Sequence, residues 1–285
     1  MKKILAVAAA VTMSLAMGSL VACGNNPTGK GGVEVYESIE LTEETYAFAI
    51  NKENDALTES VNEILSEMIA DGSLESLVNS YFDGTATFTY ENKTSSPAEG
   101  DFVVATNAYF PPFEYYEGNQ LTGIDIEIGS IIANKLGKTL YVADMDFDAI
   151  IPAVMTNQAD IGMAGMTVTD TRLESVDFAM GYYSSAQVLT VKKGDTTFAD
   201  CKTVADVEAV IAQQTASFII GTQNGTTGYM YSAGDADFGY DGFKNVQTKG
   251  YPTGALAMQD LVNGRINAVI LDKQPSLMIA KNLNK

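Results

Sequence analysis

From Phe102 onward the chain keeps switching between two apolar rhythms, and that alternation restricts its fold more than any other feature. Phe102-Val103-Val104-Ala105-Thr106 reads as a strand, 125–136 as a helix, 139–142 as a strand, 147–156 as a helix and 161–164 as a strand. Strands that alternate with helical segments build mostly parallel sheets with helices on their faces. Residues 184–192, apolar in their middle, fit a strand leaving this first unit, and 202–285 repeat the rhythm in a more polar composition. The expected fold class is α/β, with two lobes and a ligand cleft between them.

Ahead of this region stands a block of a different order. Residues 46–52 alternate as a short strand, an amphipathic helix starts near Asp55, Gly72 interrupts it, and 74–82 reads as a second helix. Val33-Glu34-Val35-Tyr36 alternates like an edge strand, and the polar stretch 40–45 suits a connector between lobes. The two blocks are joined by 84–100, a Thr- and Ser-rich stretch with Pro97 and few aliphatics. Seventeen such residues, if unstructured, reach roughly 20 to 25 Å; Thr87-Phe88-Thr89-Tyr90 could instead add a short strand.

The first 22 residues read as a targeting segment. Lys2-Lys3 is followed by an apolar run over 4–16 that is short for a bilayer span, and then by Leu20-Val21-Ala22-Cys23-Gly24. This resembles a lipoprotein signal peptide, which implies lipidation of Cys23 and an anchor at the outer face of the membrane. An ordinary secretory signal with a chance cysteine is the alternative. Residues 23–32 then form a lipid-anchored tether rich in Asn, Gly and Pro.

Charge removes several partner classes. Seventeen basic against 36 acidic residues give −19, and removal of Lys2 and Lys3 makes this −21, which opposes nucleic acid and anionic lipid surfaces. With no histidine in the chain, His-based catalysis and His metal ligation are excluded. Once Cys23 carries lipid, Cys201 has no partner for an internal disulfide and reads as a packing residue. No motif supports a metal or a cofactor.

Three motifs carry ligand chemistry. In Ala164-Gly165-Met166-Thr167-Val168-Thr169-Asp170-Thr171-Arg172, at a strand end, Gly165 lets a ligand approach the backbone, Thr167 offers a hydroxyl, and Arg172 offers a planar fork suited to a carboxylate. Taken alone, an arginine in such a place is more often a surface ion-pair partner. Asn224-Gly225-Thr226-Thr227-Gly228 precedes a helix, where unpaired N–H groups favour an anion, although a plain capped turn reads the same. Ala268-Val269-Ile270-Leu271-Asp272 ends an apolar strand in a carboxylate that could equally cap the next helix.

Together with Tyr109-Phe110-Pro111-Pro112-Phe113 and Asp146-Phe147-Asp148-Ala149-Ile150-Ile151-Pro152, these motifs resemble the binding set of the bacterial extracellular solute-binding proteins of family 3, the amino-acid-binding lipoproteins of ABC transporters. The resemblance covers 33–83 and 101–285 and implies a two-lobed type 2 periplasmic-binding-protein fold. It implies that Arg172 clamps an α-carboxylate with help from Thr167 and the Thr227 backbone. Asp272 and the Gly165 carbonyl would take the α-ammonium, Phe110 and Phe147 would sandwich the side chain, and Ala164 and Thr226 count among the ligand-binding residues. Asn107, Gln223 and Leu271 depart from the Asp, Lys and His that such relatives carry, so a neutral polar or mid-sized side chain is expected, with Asn107 and Gln223 lining its pocket.

In this family the pattern of 33–83 closes the fold, yet here it comes first. The chain therefore reads as a circular permutant: 33–41 as the last strand of lobe 2, 42–83 as the closing segment of lobe 1, 84–100 as the permutation linker, 101–186 as the rest of lobe 1, and 187–285 as lobe 2. A leftover tail from a neighbouring gene copy, in front of a truncated domain, is the competing account. The resemblance implies a monomer that delivers a free amino acid to an ABC permease. A sensor that presents its closed state to a receptor remains open, as does an enzyme on the same fold. For the enzyme, Glu114 is the cleft-proximal carboxylate to nominate, with a structural role the alternative.

Overall fold

Residues 31–236 and 238–285 are described by a computed structural model. The expected signal peptide, the Cys23 anchor and the tether up to residue 30 lie outside the described residues. Among the described residues no helix is long and apolar enough to cross a membrane.

Two five-stranded sheets organise the chain. In the first, the strands run in the order Asp177–Phe178, Ala49–Ile50, Ile161–Gly162, Phe102–Thr106 and Leu140–Asp144; in the second, Val33–Val35, Gln187–Lys192, Ala268–Asp272, Ile219–Gln223 and Gln247–Tyr251. Phe102–Thr106 pairs in parallel with both its neighbours, as does Ile219–Gln223, which is the geometry that βα alternation demands. Ala49–Ile50 enters antiparallel in the interior of the first sheet, and Val33–Val35 forms the antiparallel edge of the second. Both sheets thus use strands from the block that precedes the linker.

The strands expected over 46–52 and 184–192 are each divided. Glu44–Tyr46 and Tyr183–Ser185 pair with one another as a two-stranded ribbon, while Ala49–Ile50 and Gln187–Lys192 belong to opposite five-stranded sheets. The chain changes sheets at these points, so one apolar run serves two ladders. Tyr183 lies opposite Tyr46, and Ser185 opposite Glu44.

Helix Asp55–Ala70 is capped by Asn54, whose side chain accepts from the Leu57 N–H, and it ends at Asp71 before Gly72, whose φ of +77° suits glycine. Its buried stripe of Val61, Ile64, Leu65 and Met68 packs with helix Ser73–Phe82 and helix Ile124–Lys135. The half-buried Cys201 packs against an apolar cluster of the second sheet.

Residues 84–100 form no strand, and a single bridge joins Tyr90 to Leu121. Asn92 does more with its side chain: its Nδ2 donates to the Val142 carbonyl at 2.7 Å, and its Oδ1 accepts from the Val142 N–H at 2.8 Å. That pair covers the open edge at Leu140–Asp144, which would otherwise present free backbone groups. At the other end of the chain, the Asn284 amide holds both backbone groups of Val33, at 2.9 and 3.0 Å, so the start and the finish of the described chain meet.

Leu65 is fully buried in the helix that the early block contributes. Leu65→Ala is expected to cost about 2–5 kcal/mol, read as a lower urea midpoint at unchanged slope. A loss below about 0.5 kcal/mol would show that this helix is not part of the cooperative core.

Candidate functional site

Between the sheets, a small enclosed pocket collects the ends of several strands. From one side come Asn107, Phe110, Phe147, Gly165, Thr167 and Arg172; from the other come Gln223, Thr226, Thr227 and Asp272. Every candidate residue expected from the sequence lines it except Ala164, and Glu114 joins them. The Ala164 methyl is buried in an apolar cluster with Ile150, Val154 and Met166 rather than in the pocket.

Arg172 sits in the short helix Asp170–Ser175, whose cap is the Thr169 hydroxyl accepting from the Arg172 N–H at 3.1 Å. The cap fixes where the guanidinium points. It is buried, donates from Nη1 to the Thr167 carbonyl at 2.6 Å and from Nη2 to the Gly225 carbonyl at 2.9 Å, and lies 5.3 Å from the Phe147 ring centroid. Burial lowers its hold on the proton to about 10, against the pull of Glu44 and Asp272, so it stays cationic at neutral pH. Among the described residues no carboxylate lies in ion-pair contact with it. A buried cation satisfied by neutral carbonyls alone is the setting in which an anionic partner gains most.

Gly165 has a φ of +51°, and a Cβ there would stand 2.7 Å from the Phe110 ring, so glycine is what lets that ring into the pocket. Its N–H donates to Asp125 Oδ2 at 2.9 Å, and Tyr182 donates to Asp125 Oδ1 at 2.6 Å. Across the cleft, Gln223 Nε2 donates to Asn107 Oδ1 at 3.0 Å, and Asn107 in turn donates to the Met145 carbonyl at 2.8 Å. The Thr226 hydroxyl donates to the Gln223 carbonyl at 2.8 Å. Asp272, buried at its strand end, accepts a short hydrogen bond from the Tyr46 hydroxyl, which itself accepts from Ser185 at 2.9 Å.

Glu114 stands in the cleft, as its nomination there expects, but it is buried and not solvated. The side chain is fully buried with its carboxyl against that of Asp125, no N–H or hydroxyl donates to either of its oxygens, and it lines a site that also leaves Gln223 Oε1 without a donor. Burial first, then the neighbouring Asp125 and Asp272, hold its proton well above the ordinary carboxyl range. Burial likewise raises Asp125 to about 7, and raises Asp272 with help from Glu44. The free hydrogen-bonding capacity of the pocket is therefore one cation lacking an anion, and several acceptors lacking donors.

Sequence reasoning did not single out Tyr46, Gln187 or Glu44. Tyr46 reads there as an ordinary strand residue, and its partner Asp272 is 226 positions away. No local signal could have joined them. For Glu114 a signal exists, a carboxylate directly after the aromatic and proline run at 109–113.

A sequence profile described as bacterial extracellular solute-binding proteins, family 3, matches residues 102–283. The chain is 36% identical over 102 residues to the arginine-binding extracellular protein ArtP of Bacillus subtilis, covering 36% of this chain and 40% of that protein. It is 31% identical over 190 residues to the ABC transporter arginine-binding protein 1 of Escherichia coli, covering 66% of this chain and 68% of that protein. The first of these curated relatives is thus matched over well under two thirds of its length. Among solved structures, an ancestral arginine-binding protein bound to arginine superposes with a TM-score of 0.55 at 32% identity, covering 66% of this chain and 76% of that one. An ancestral amino-acid-binding protein described as a precursor of cyclohexadienyl dehydratase gives 0.54 at 29% identity, covering 64% and 74%.

Carboxyls whose folded pKa lies above the unfolded value favour folding below the unfolded pKa, and the benefit is lost as pH rises through the folded one. Glu114 and Asp125 are both of this kind, so stability should fall from about pH 4 to beyond 7. Urea midpoints are expected to decline between pH 5 and pH 8, and Glu114→Gln is expected to flatten that decline. Parallel pH profiles for the two proteins would show that Glu114 is not held protonated.

Proposed function

The chain belongs to the bacterial extracellular solute-binding proteins of family 3, and from that premise we propose that it captures a free α-amino acid with a cationic side chain and hands it to an ABC permease. The observation that carries this reading is the pattern of unmet partners in the pocket. Arg172 offers its charge to the α-carboxylate, Asp272 faces the α-ammonium, and Gln223 Oε1 together with Glu114, once it yields its proton, offers acceptors to the end of the side chain. A zwitterion is costly to strip of water, so each pole needs a charged, hydrogen-bonded partner.

The side-chain assignment moves away from the neutral residue that Asn107 suggested. Asn107 carries no charge and is engaged with Gln223 and Met145, whereas Glu114 brings an acidic group from another strand. Burial favours the protonated form of Glu114, and loss of that proton on binding would leave its oxygens free to accept. Burial likewise favours protons on Asp125 and Asp272, and a guanidinium or ammonium can take the place of such protons. Ancestral arginine-binding neighbours are found bound to arginine and to glutamine, so the choice between them rests on Glu114.

The proposal includes an extracytoplasmic monomer held at the membrane by lipid on Cys23, after removal of a signal peptide over 1–22, and it includes binding without turnover. It further includes the circular permutation. The family match stops at residue 283 without using 33–83, the Asn284 side chain binds Val33, and the early block supplies strands to both sheets. Lobe 1 is then 42–83 with 101–186, lobe 2 is 33–41 with 187–285, and 84–100 is the new linker.

Calorimetry with arginine, lysine, glutamine, agmatine and 5-guanidinovalerate tests the binding reading. Arginine should bind, while agmatine and 5-guanidinovalerate, each lacking one pole, should not. Arg172→Ala should weaken arginine by at least a hundredfold, since two charge-assisted hydrogen bonds are worth about 3 kcal/mol or more. Glutamine binding more tightly than arginine, with no change in that order in Glu114→Gln, would remove the cationic assignment; the absence of any amino-acid binding would remove the function.

A rearranged chain in which 101–285 is followed directly by 31–83, with the linker deleted, tests the permutation. It should melt cooperatively and bind arginine within about threefold of the original. Failure of that chain to fold, while the original folds, would favour the gene-copy remnant.

A further inference from the structure

Glu44 stands on the crossing ribbon and is 6% exposed, yet nothing above gives it a task. Its Oε2 accepts from the Thr167 hydroxyl at 2.6 Å and from the Thr227 hydroxyl at 2.8 Å. Its Oε1 accepts from the Thr42 hydroxyl at 2.7 Å. Thr167 follows the Ile161–Gly162 strand of the first sheet, and Thr227 opens the helix after Ile219–Gln223 of the second. One carboxylate oxygen therefore ties together hydroxyls from the two halves of the cleft.

We propose that Glu44 is the clasp of the closed state, a positioning residue that holds the two halves together through Thr167 and Thr227. Any opening that separates these threonines must break at least one of its two hydrogen bonds, which are charge-assisted and shielded from water. Gln187 braces the arrangement from the second sheet: its Nε2 donates to the Thr227 hydroxyl at 2.9 Å, and its backbone N–H donates to the Thr42 hydroxyl at 2.8 Å. Because each threonine has a single hydroxyl proton and gives it to Glu44, neither can donate that proton to a ligand carboxylate while the clasp is closed. Anion recognition then falls to Arg172 and backbone N–H groups, and the hydroxyls serve closure. Glu44 also places a negative charge behind the carboxylate position, which disfavours acidic amino acids relative to basic ones.

The clasp rests on the amino-acid reading only for its effect on affinity; its effect on the shape of the free protein does not. The test uses pulsed spin-label distances between labels at Glu63→Cys and Ala209→Cys, exposed positions on the two halves, with Cys23→Ser and Cys201→Ser in the background. Without ligand, the parent should give mainly its short, closed distance. Glu44→Ala should shift most of the population to longer distances, Thr227→Val should do the same, and the double variant should shift no further than either alone. Arginine should bind Glu44→Ala about tenfold more weakly, because the closed form must then be recruited from a smaller population. Ligand-free distances that superimpose on the parent in both Glu44→Ala and Thr227→Val would overturn the clasp. If Glu44→Ala does not fold, Thr227→Val decides alone. A parent that binds no amino acid but opens when Glu44 is replaced keeps the clasp and loses the proposed function.

Discussion

The antiparallel pairing of Glu44–Tyr46 with Tyr183–Ser185 sets where the two sheets meet, and through that where the charged groups of the cleft stand. It is a short ladder with side chains of unequal kind. One of its strands sends Tyr46 to Asp272 and Glu44 to Thr167 and Thr227, so the segment that joins the sheets also delivers hydrogen bonds into the space between them. Were the register to slip by one residue, these side chains would point to the opposite face and the polar contacts would be lost together. The aromatic rings of Tyr46, Phe113 and Tyr183 pack edge to face around the same ribbon and resist such a slip.

The electrostatics of the cleft follow from that placement. Four acidic side chains, Glu44, Glu114, Asp125 and Asp272, are withdrawn from water around one guanidinium. Such a cluster is tolerable when some of its members keep their protons, and burial has that effect on Glu114, Asp125 and Asp272. The proposed cationic ligand would reverse the balance by replacing protons with a positive charge. Recognition and protonation would then be coupled in one site with a fixed sign, since a cation competes with protons for the same oxygens.

Much of this was legible in the sequence where the physics is local. The alternation after Phe102, the break at Gly72 and the Gly165-to-Arg172 motif depend on neighbours within a few positions, and each emerged in its expected place. A motif does not say which of its consecutive side chains faces the pocket, and the Ala164 methyl packs into an apolar cluster instead. Of the two readings of 84–100, the strand alternative over 87–90 is not what forms, and Asn92 instead uses its amide to occupy the edge that a strand would have taken. Glu44 and Tyr46 were opaque for a different reason: their partners lie 123, 183 and 226 positions away. Glu114 could be nominated for the cleft, but its burial beside Asp125 could not be read locally.

The proposed permutation is compatible with such a cleft because of where the cut falls. Val33 is an edge residue held by Asn284, so the covalent break replaces one backbone connection at a sheet margin by a pair of hydrogen bonds. No pocket residue belongs to either new terminus. The linker closes a loop of modest length, and loop-closure entropy grows only with the logarithm of that length, so exchanging one connection for another costs little in stability. What changes more is the point of attachment. Val33 begins the edge strand of the sheet that also holds Asp272, so the proposed membrane anchor would hold the half carrying Thr227 and leave the half carrying Arg172 to swing. In that arrangement, the proposed capture of an amino acid would move Arg172 toward a fixed Asp272, and the anchored half would set the surface offered to a permease.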